Sequence, residues 1–536
     1  MSGALAKIRA ARSDPWVLSG IAGWTIVLVL CLAPLIACAT WLPVGRGAGS
    51  DSATGVRAAA VPRRAAGNPW PNRLRLFANG AKVALIAAAF SALLGIPAGF
   101  FVTKTDVPGK RFWQFLWLPA FVIPPHIHGI SWLGLLGSGA KRGVLEAYVA
   151  GSNEFLTAGW ALSMPFAPLA AIIAAESFRR ADPSQEAAGR LMRGAFGGPA
   201  VSCRLALPGI ATGVLLAFML ALSNFDVPGL MGLSVLQLEV FSRAAGEYDF
   251  AGAAESALPL MFAAAGGGIA VAFGFRKVLS EGSGKRKVHV YELGMFRWAA
   301  MAWCLALAIT TIGIPAYALT RAAGGMKDFI PAVRMASPAL VTSMLAGCAA
   351  CAIALPAAVL ITNGSRGAGI AGLSALCVSL VAPGLLAGLG LARIINAAGL
   401  QALADTRWIL GVASAARFAP VAVLLLSVAR RQCGDNAFNA ARLSGLGFAR
   451  SLLKIGLPVL LPGIAASAAL CFALSLGEVD ASTLISPPGA STLPMRIFSM
   501  YHYGQDQLVA SFSILLAACS FAPMLLFMIL RRKFSF

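Results

Sequence analysis

The sequence predicts an all-α polytopic membrane protein with about twelve transmembrane helices in two parallel-repeat halves. Three observations predict it. The 536 residues are 58% apolar and only 12% charged, with a mean hydropathy of +0.78, whereas soluble domains carry about 25% charged residues. Twelve apolar runs approach or exceed the roughly 20 residues that a helix needs to cross a bilayer. An ordered series of short matches relates the first six runs to the last six.

The runs fall at 19–42, 79–102, 112–135, 158–177, 208–230 and 249–275, then at 297–318, 335–362, 368–392, 408–429, 458–478 and 508–530. The first follows Lys7, Arg9 and Arg12 as a signal peptide would, but its length and the lack of a tidy cleavage site predict a retained helix. The matches pair Pro97 with Pro356, Arg75 with Arg334, and Pro125 with Pro383. FAP at 166–168 recurs at 418–420, and ALSNFDV at 221–227 recurs as ALSLGEV at 473–479. Six helices per half give both halves the same orientation, as a repeat about an axis along the membrane normal requires. The expected organisation is a first half at 1–277, a linker at 278–296 rich in Gly, Ser, Lys and Arg, and a second half at 297–536.

The net charge of +22 would suggest nucleic acid in a soluble chain. Here the basic residues concentrate in short loops, where they orient a membrane protein with both termini cytoplasmic. Nucleic acid is therefore not among the expected partners; membrane lipid is. The loop at 43–79 holds most of the contrary charge and reads as irregular and exposed. Eight of the ten cysteines lie in apolar runs, so Cys348 and Cys351 read as packed small residues despite their CxxC spacing. Gly284-Lys285 lacks the earlier glycine and the following Ser or Thr of a phosphate-binding loop. No ATP site is visible in the chain.

Two polar loops interrupt the apolar pattern at corresponding places. One reads EAAGRLMRGAFGGPAVSCRLALP at 186–208 and the other NAARLSGLGFARSLLKIGLP at 439–458. Each predicts a short helix, a glycine bend and a second helix entering the membrane. Two similar loops imply two copies of a partner, or two similar partners. The second keeps Ala440, Ala441, Gly445, Ile455 and Leu457-Pro458 of a pattern that reads EAA, three residues, Gly, nine residues, Ile, one residue, Leu-Pro. Asn439 stands where the pattern has Glu. The first keeps Glu186, Ala187, Ala188 and Leu207-Pro208 but displaces the glycine, for which Gly194 is the candidate.

This pattern resembles the signature of binding-protein-dependent ABC importer permeases, here the fused, two-lobed kind of the ferric iron importers. NFDVPGLMG at 224–232 and LGEVDASTLISPPG around 487–489 are similar to that group. Thiamine, polyamine and aminoethylphosphonate permeases are its relatives. The resemblance implies a type I importer fold in a bacterial inner membrane. It implies two copies of an ABC ATPase subunit on the cytoplasmic side, holding the ATP and magnesium, and an extracytoplasmic solute-binding protein. The chain itself would be no enzyme and would carry no cofactor or metal. Glu186, Ala187, Ala188 and Gly194, with Asn439, Ala440, Ala441, Gly445 and Gly447, would then be the ATPase-coupling residues, with Glu186 facing the ATPase. A secondary transporter is the main alternative; it would need no ATPase.

Acids at membrane depth are costly and tend to be functional or paired. Asp226 and Glu478 correspond in the repeat, with Asn224 and Asp480 beside them. The broken segments after them contain Pro228 and Pro487. These six residues are the candidate translocation path or gate. His126 and His128 flank Ile127 and read as packing or hydrogen-bonding residues rather than a metal pair. Arg417 reads as a residue that snorkels outward, and Glu239 with Arg496 as opposite charges at corresponding places, bridging the halves or solvated.

Overall fold

Proline and glycine placement decides where an apolar run stays one helix and where it breaks. The computed structural model describes residues 15–40, 69–136, 154–280, 288–364, 369–433 and 448–533. In chain order its main helices are α1 Pro15–Ala39, α2 Trp70–Lys104, α3 Lys110–Val122, α4 Pro125–Leu136, α5 Glu154–Arg179, α6 Pro183–Arg193 and α7 Gly197–Ser223. Three short helices follow, α8 Asp226–Leu230, α9 Leu236–Phe241 and α10 Phe250–Ser256, and then α11 Leu258–Ser280. The remainder comprises α12 Arg297–Ala308, α13 Ile314–Ala322, α14 Met326–Gly364, α15 Ile370–Val381, α16 Gly384–Ala398, α17 Trp408–Gln432, α18 Leu457–Leu476, α19 Asp480–Ile485, α20 Leu493–His502 and α21 Asp506–Lys533.

Among the described residues, ten helical stretches are long and apolar enough to cross a membrane, or eleven if α15 and α16 count as one. That pair is bent by 102°. The chain is thus an all-α, multi-pass membrane protein. The expected spans 112–135 and 368–392 are each two helices, not one. Pro125 opens α4 and Pro383 precedes α16. A proline supplies no N–H and drives the residue before it out of the helical region, so each run turns there. The expected loop at 43–79 also ends early, because α2 already begins at Trp70.

Small residues set the closest helix contacts. A Cβ on Gly95 of α2 would stand 2.5 Å from the Ala167 carbonyl oxygen of α5, and one on Gly99 would stand 2.7 Å from that of Ala171. Glycine and alanine every fourth residue let two backbones approach in lipid, where packing rather than water drives association. Later in the chain α14 and α17 meet likewise, with Gly411 against Ala349. The α2 helix packs on α5 and α7 as α14 packs on α17 and α18. The opening helices cross over: α1 lies along α14 and α16, while α12 lies along α2 and α13 along α4. Substituting Gly95 by valine should cost about 1–3 kcal/mol by overpacking. Gly134, with nothing within 4 Å of its added Cβ, is the control for thermal unfolding in detergent; equal effects at both sites would contradict the close contact.

All ten cysteines are free. Cys351 donates its thiol to the Ala468 carbonyl at 3.5 Å, a helix-packing contact of the kind its apolar surroundings predict.

Candidate functional site

The first polar loop folds as a helix, a bend and a membrane-length helix. Asp182 caps α6 by accepting from the Ser184 amide at 3.0 Å, and Pro183 at the first position fits because no intrahelical bond is asked of its nitrogen. Gly194 ends the helix at φ +64°, a conformation that favours glycine. The turn carries an apolar tip: Leu191, Met192 and Phe196 are 90%, 84% and 86% exposed. Beside them stand Arg190 and Arg193. Ala187 and Ala188 are exposed, and Glu186 is fully buried.

The resemblance implies that Glu186 faces the ATPase, whereas in the chain by itself it turns inward. Its carboxylate pairs with Lys104, itself fully buried at the end of α2. Glu186 Oε1 also accepts the Ser202 hydroxyl at 2.6 Å. Ser202 Oγ lies 3.2 Å from the Tyr291 hydroxyl; since the serine O–H already donates its hydrogen bond to the carboxylate, Tyr291 is the donor. Burial pushes the Tyr291 phenol above its ordinary value, keeping it protonated for that role. Gly189 is the more tightly packed of the two glycines: a Cβ on it would stand 2.7 Å from Val201 Cγ2 and 2.8 Å from the Gly197 carbonyl oxygen, whereas one on Gly194 would meet nothing within 4 Å. Gly189 directly follows the Glu-Ala-Ala motif, a signal that the spacing rule passed over. Asn439, Ala440, Ala441, Gly445 and Gly447 lie outside the described residues.

The second cluster lies where α8 and α19 begin. Asn224 ends α7, and its side-chain oxygen accepts the Val227 amide at 3.0 Å. Asp226 opens α8, is 3% exposed, and sets Oδ2 3.7 Å from His126 Nδ1. In the second half Glu478 accepts the Ala481 amide at 2.9 Å, and Asp480 opens α19. By position on these short helices Asp226 therefore corresponds to Asp480, and Asn224 to Glu478. Two residues enter the second half between the matched Ala-Leu-Ser and the short helix, which shifts the expected Asp226–Glu478 pairing.

Arg417 does not snorkel outward. Its Nη1 donates to both oxygens of Glu478, at 2.8 and 2.7 Å, and to Asp480 Oδ2 at 2.7 Å. A Cβ at Gly384 would stand 2.1 Å from that nitrogen, so a glycine is needed for the guanidinium to pass. An apolar layer adjoins these acids: Phe225 stacks on Phe241 at 5.1 Å and meets Phe498 edge-on at 5.7 Å, with Val479 and Leu385 packed alongside. Pro228 is buried in α8, and Pro487 is buried at a turn closed by the Ala490 amide at 3.1 Å.

His126 and His128 are both buried, and among the described residues no group of three or more His, Cys, Asp or Glu is placed to hold a metal ion. Glu239 and Arg496 do not bridge the halves: Glu239 pairs with Arg243 at 2.7 Å, and Arg496 donates to the Met335 carbonyl at 2.6 Å. The site holds fixed charges, short helices and apolar cover.

Residues 330–536 match the family model described as "Binding-protein-dependent transport system inner membrane component". That stretch is thus similar to the inner-membrane components of binding-protein-dependent transport systems. The chain is also 29% identical over 143 residues to the putative 2-aminoethylphosphonate transport system permease protein PhnV of Salmonella paratyphi A, and equally to those of Salmonella typhi and Salmonella typhimurium strain LT2. The aligned part is 27% of this chain and 54% of each relative, so the chain spans about half the length of the curated relatives it matches. No solved structure matches the chain. These likenesses reach the importer permeases in general and not the ferric-iron branch.

Proposed function

We propose that the chain is the membrane-spanning part of an ATP-driven importer, with two similar halves and two docking loops for ATPase subunits. The observation that carries this reading is the exposed tip of Leu191, Met192 and Phe196, set between two membrane-length helices and flanked by arginines. Apolar side chains on a charged, water-facing loop are costly unless a partner covers them. In this reading that end is cytoplasmic. Each ATPase subunit receives one loop, 186–194 on one side and 439–447 on the other. A solute-binding protein delivers at the opposite face, and Asn224, Asp226, Pro228, Glu478, Asp480 and Pro487 line the path or its gate. ATP and magnesium belong to the ATPase subunits.

For the cargo, the PhnV relatives favour a small organophosphonate such as 2-aminoethylphosphonate over ferric iron. The decisive experiment reconstitutes the chain in liposomes with its ATPase subunits and solute-binding protein, and measures uptake. Uptake should require ATP, both subunits and the binding protein. Uptake that persists without the ATPase subunits would make the chain a secondary transporter instead. Calorimetric titration of the binding protein with 2-aminoethylphosphonate and with ferric iron separates the two cargoes.

A further inference from the structure

We propose that residues 288–293, in the segment joining the two halves, clamp the first docking helix to the end of α2, so that α6 and α2 move as one piece. A passive tether needs only length. This segment instead contacts three separate elements. Its backbone runs beside residues 104–106: Tyr291 forms a parallel bridge with Thr105, and the Tyr291 amide donates to the Lys104 carbonyl at 2.6 Å. The Leu293 amide donates to Asp106 Oδ1 at 2.9 Å.

The side chains then reach across to α6 and α7. The Tyr291 ring stacks on Phe100, one turn back in α2, with centroids 6.4 Å apart and planes at 16°. Its hydroxyl donates to Ser202 of α7, which donates to Glu186 of α6, which also takes Lys104 of α2. The chain of donors thus runs from the linker through α7 into a buried ion pair between α6 and α2. A second contact closes the grip from the side, where a ring nitrogen of His289 meets Arg190 Nη1 at 2.7 Å. Gly198 leaves the space this needs, since a Cβ there would stand 2.9 Å from the Tyr291 hydroxyl.

Docking force applied at α6 therefore passes through groups that cannot be separated cheaply. The Lys104–Glu186–Ser202 part of this network is buried, and breaking one member there strands the others. The geometry of the clamp is independent of what docks; its consequence for transport rests on the importer reading.

The test is hydrogen–deuterium exchange of the full chain in detergent, read in peptides covering 183–193. Tyr291→Ala should raise exchange there by about tenfold, with Tyr291→Phe, which keeps the stack on Phe100, in between. If Tyr291→Ala yields no folded chain, Tyr291→Phe and His289→Ala carry the comparison. Exchange in 183–193 equal to that of the natural chain in every folded variant overturns the clamp. In reconstituted complexes the solute moved per ATP hydrolysed should fall several-fold in the same variants; an unchanged ratio overturns the coupling role. Failure of the natural chain to bind ATPase subunits sinks the importer reading, and the exchange measurement then decides the clamp alone.

Discussion

Replacing Arg417 by methionine should destabilise the detergent-purified chain by about 3–5 kcal/mol, the cost of removing one partner from a buried ion pair. Two carboxylates depend on this one cation. Glu478 and Asp480 are each 3% exposed, and the Arg417 side chain is only 18% exposed, so water does little to screen the change. The sharper test is Arg417→Lys. All three contacts to the acids come from the single atom Nη1, so the forked geometry that usually separates arginine from lysine is not being used here. An ammonium with three donors can serve two carboxylates from one point. Arg417→Lys should therefore retain most of the stability, with a loss of about 1 kcal/mol from its shorter reach. Thermal unfolding read by circular dichroism or tryptophan fluorescence compares the three chains. A lysine variant as unstable as the methionine variant would show that the second guanidinium nitrogen or its stacking matters more than the charge.

The class of fold was legible because lipid imposes it. With no water to satisfy the backbone, long apolar runs must be helical, and composition alone reveals them. The breaks at Pro125 and Pro383 were less legible, since a proline inside a membrane helix often only kinks it; α5 carries Pro165 and Pro168 without breaking. What separates the cases is tertiary. At the bends α4 meets α8 and α16 meets α19, contacts that a straight helix would lose. The candidate site was half legible. Asp226, Glu478 and Asp480 stood out as acids in apolar runs, but Arg417 could not be assigned to them, because 61 positions separate it from Glu478 and no local periodicity spans that distance. The motif marked the segment that forms α6, but carried no sign that Glu186 turns inward in the chain by itself. Its burial depends on Lys104, 82 positions earlier, and on Ser202 across a turn.

The Lys104–Glu186 pair provides the second large effect, and its sign pattern separates an ion pair from two independent residues. Both side chains are fully buried. Lys104→Met leaves a carboxylate with only the Ser202 hydroxyl for company, and Glu186→Gln leaves an ammonium with no counter-charge. Each single substitution should cost about 3–5 kcal/mol. The double variant Lys104→Met with Glu186→Gln removes both charges together, and the glutamine oxygen can still accept from Ser202. Replacing a buried pair by neutral groups of similar size is often close to neutral, so the double variant should return to within about 1–2 kcal/mol of the natural chain. Thermal unfolding of the four chains closes the cycle. Simply additive losses would mean that the two residues act separately, since contacting charges are expected to couple. The same cycle separates folding from docking. If recovery of stability in the double variant comes with recovery of ATPase binding, the charges serve to hold α6 in place. If stability returns and binding does not, the Glu186 carboxylate has a role at the docking surface that its burial in the free chain conceals.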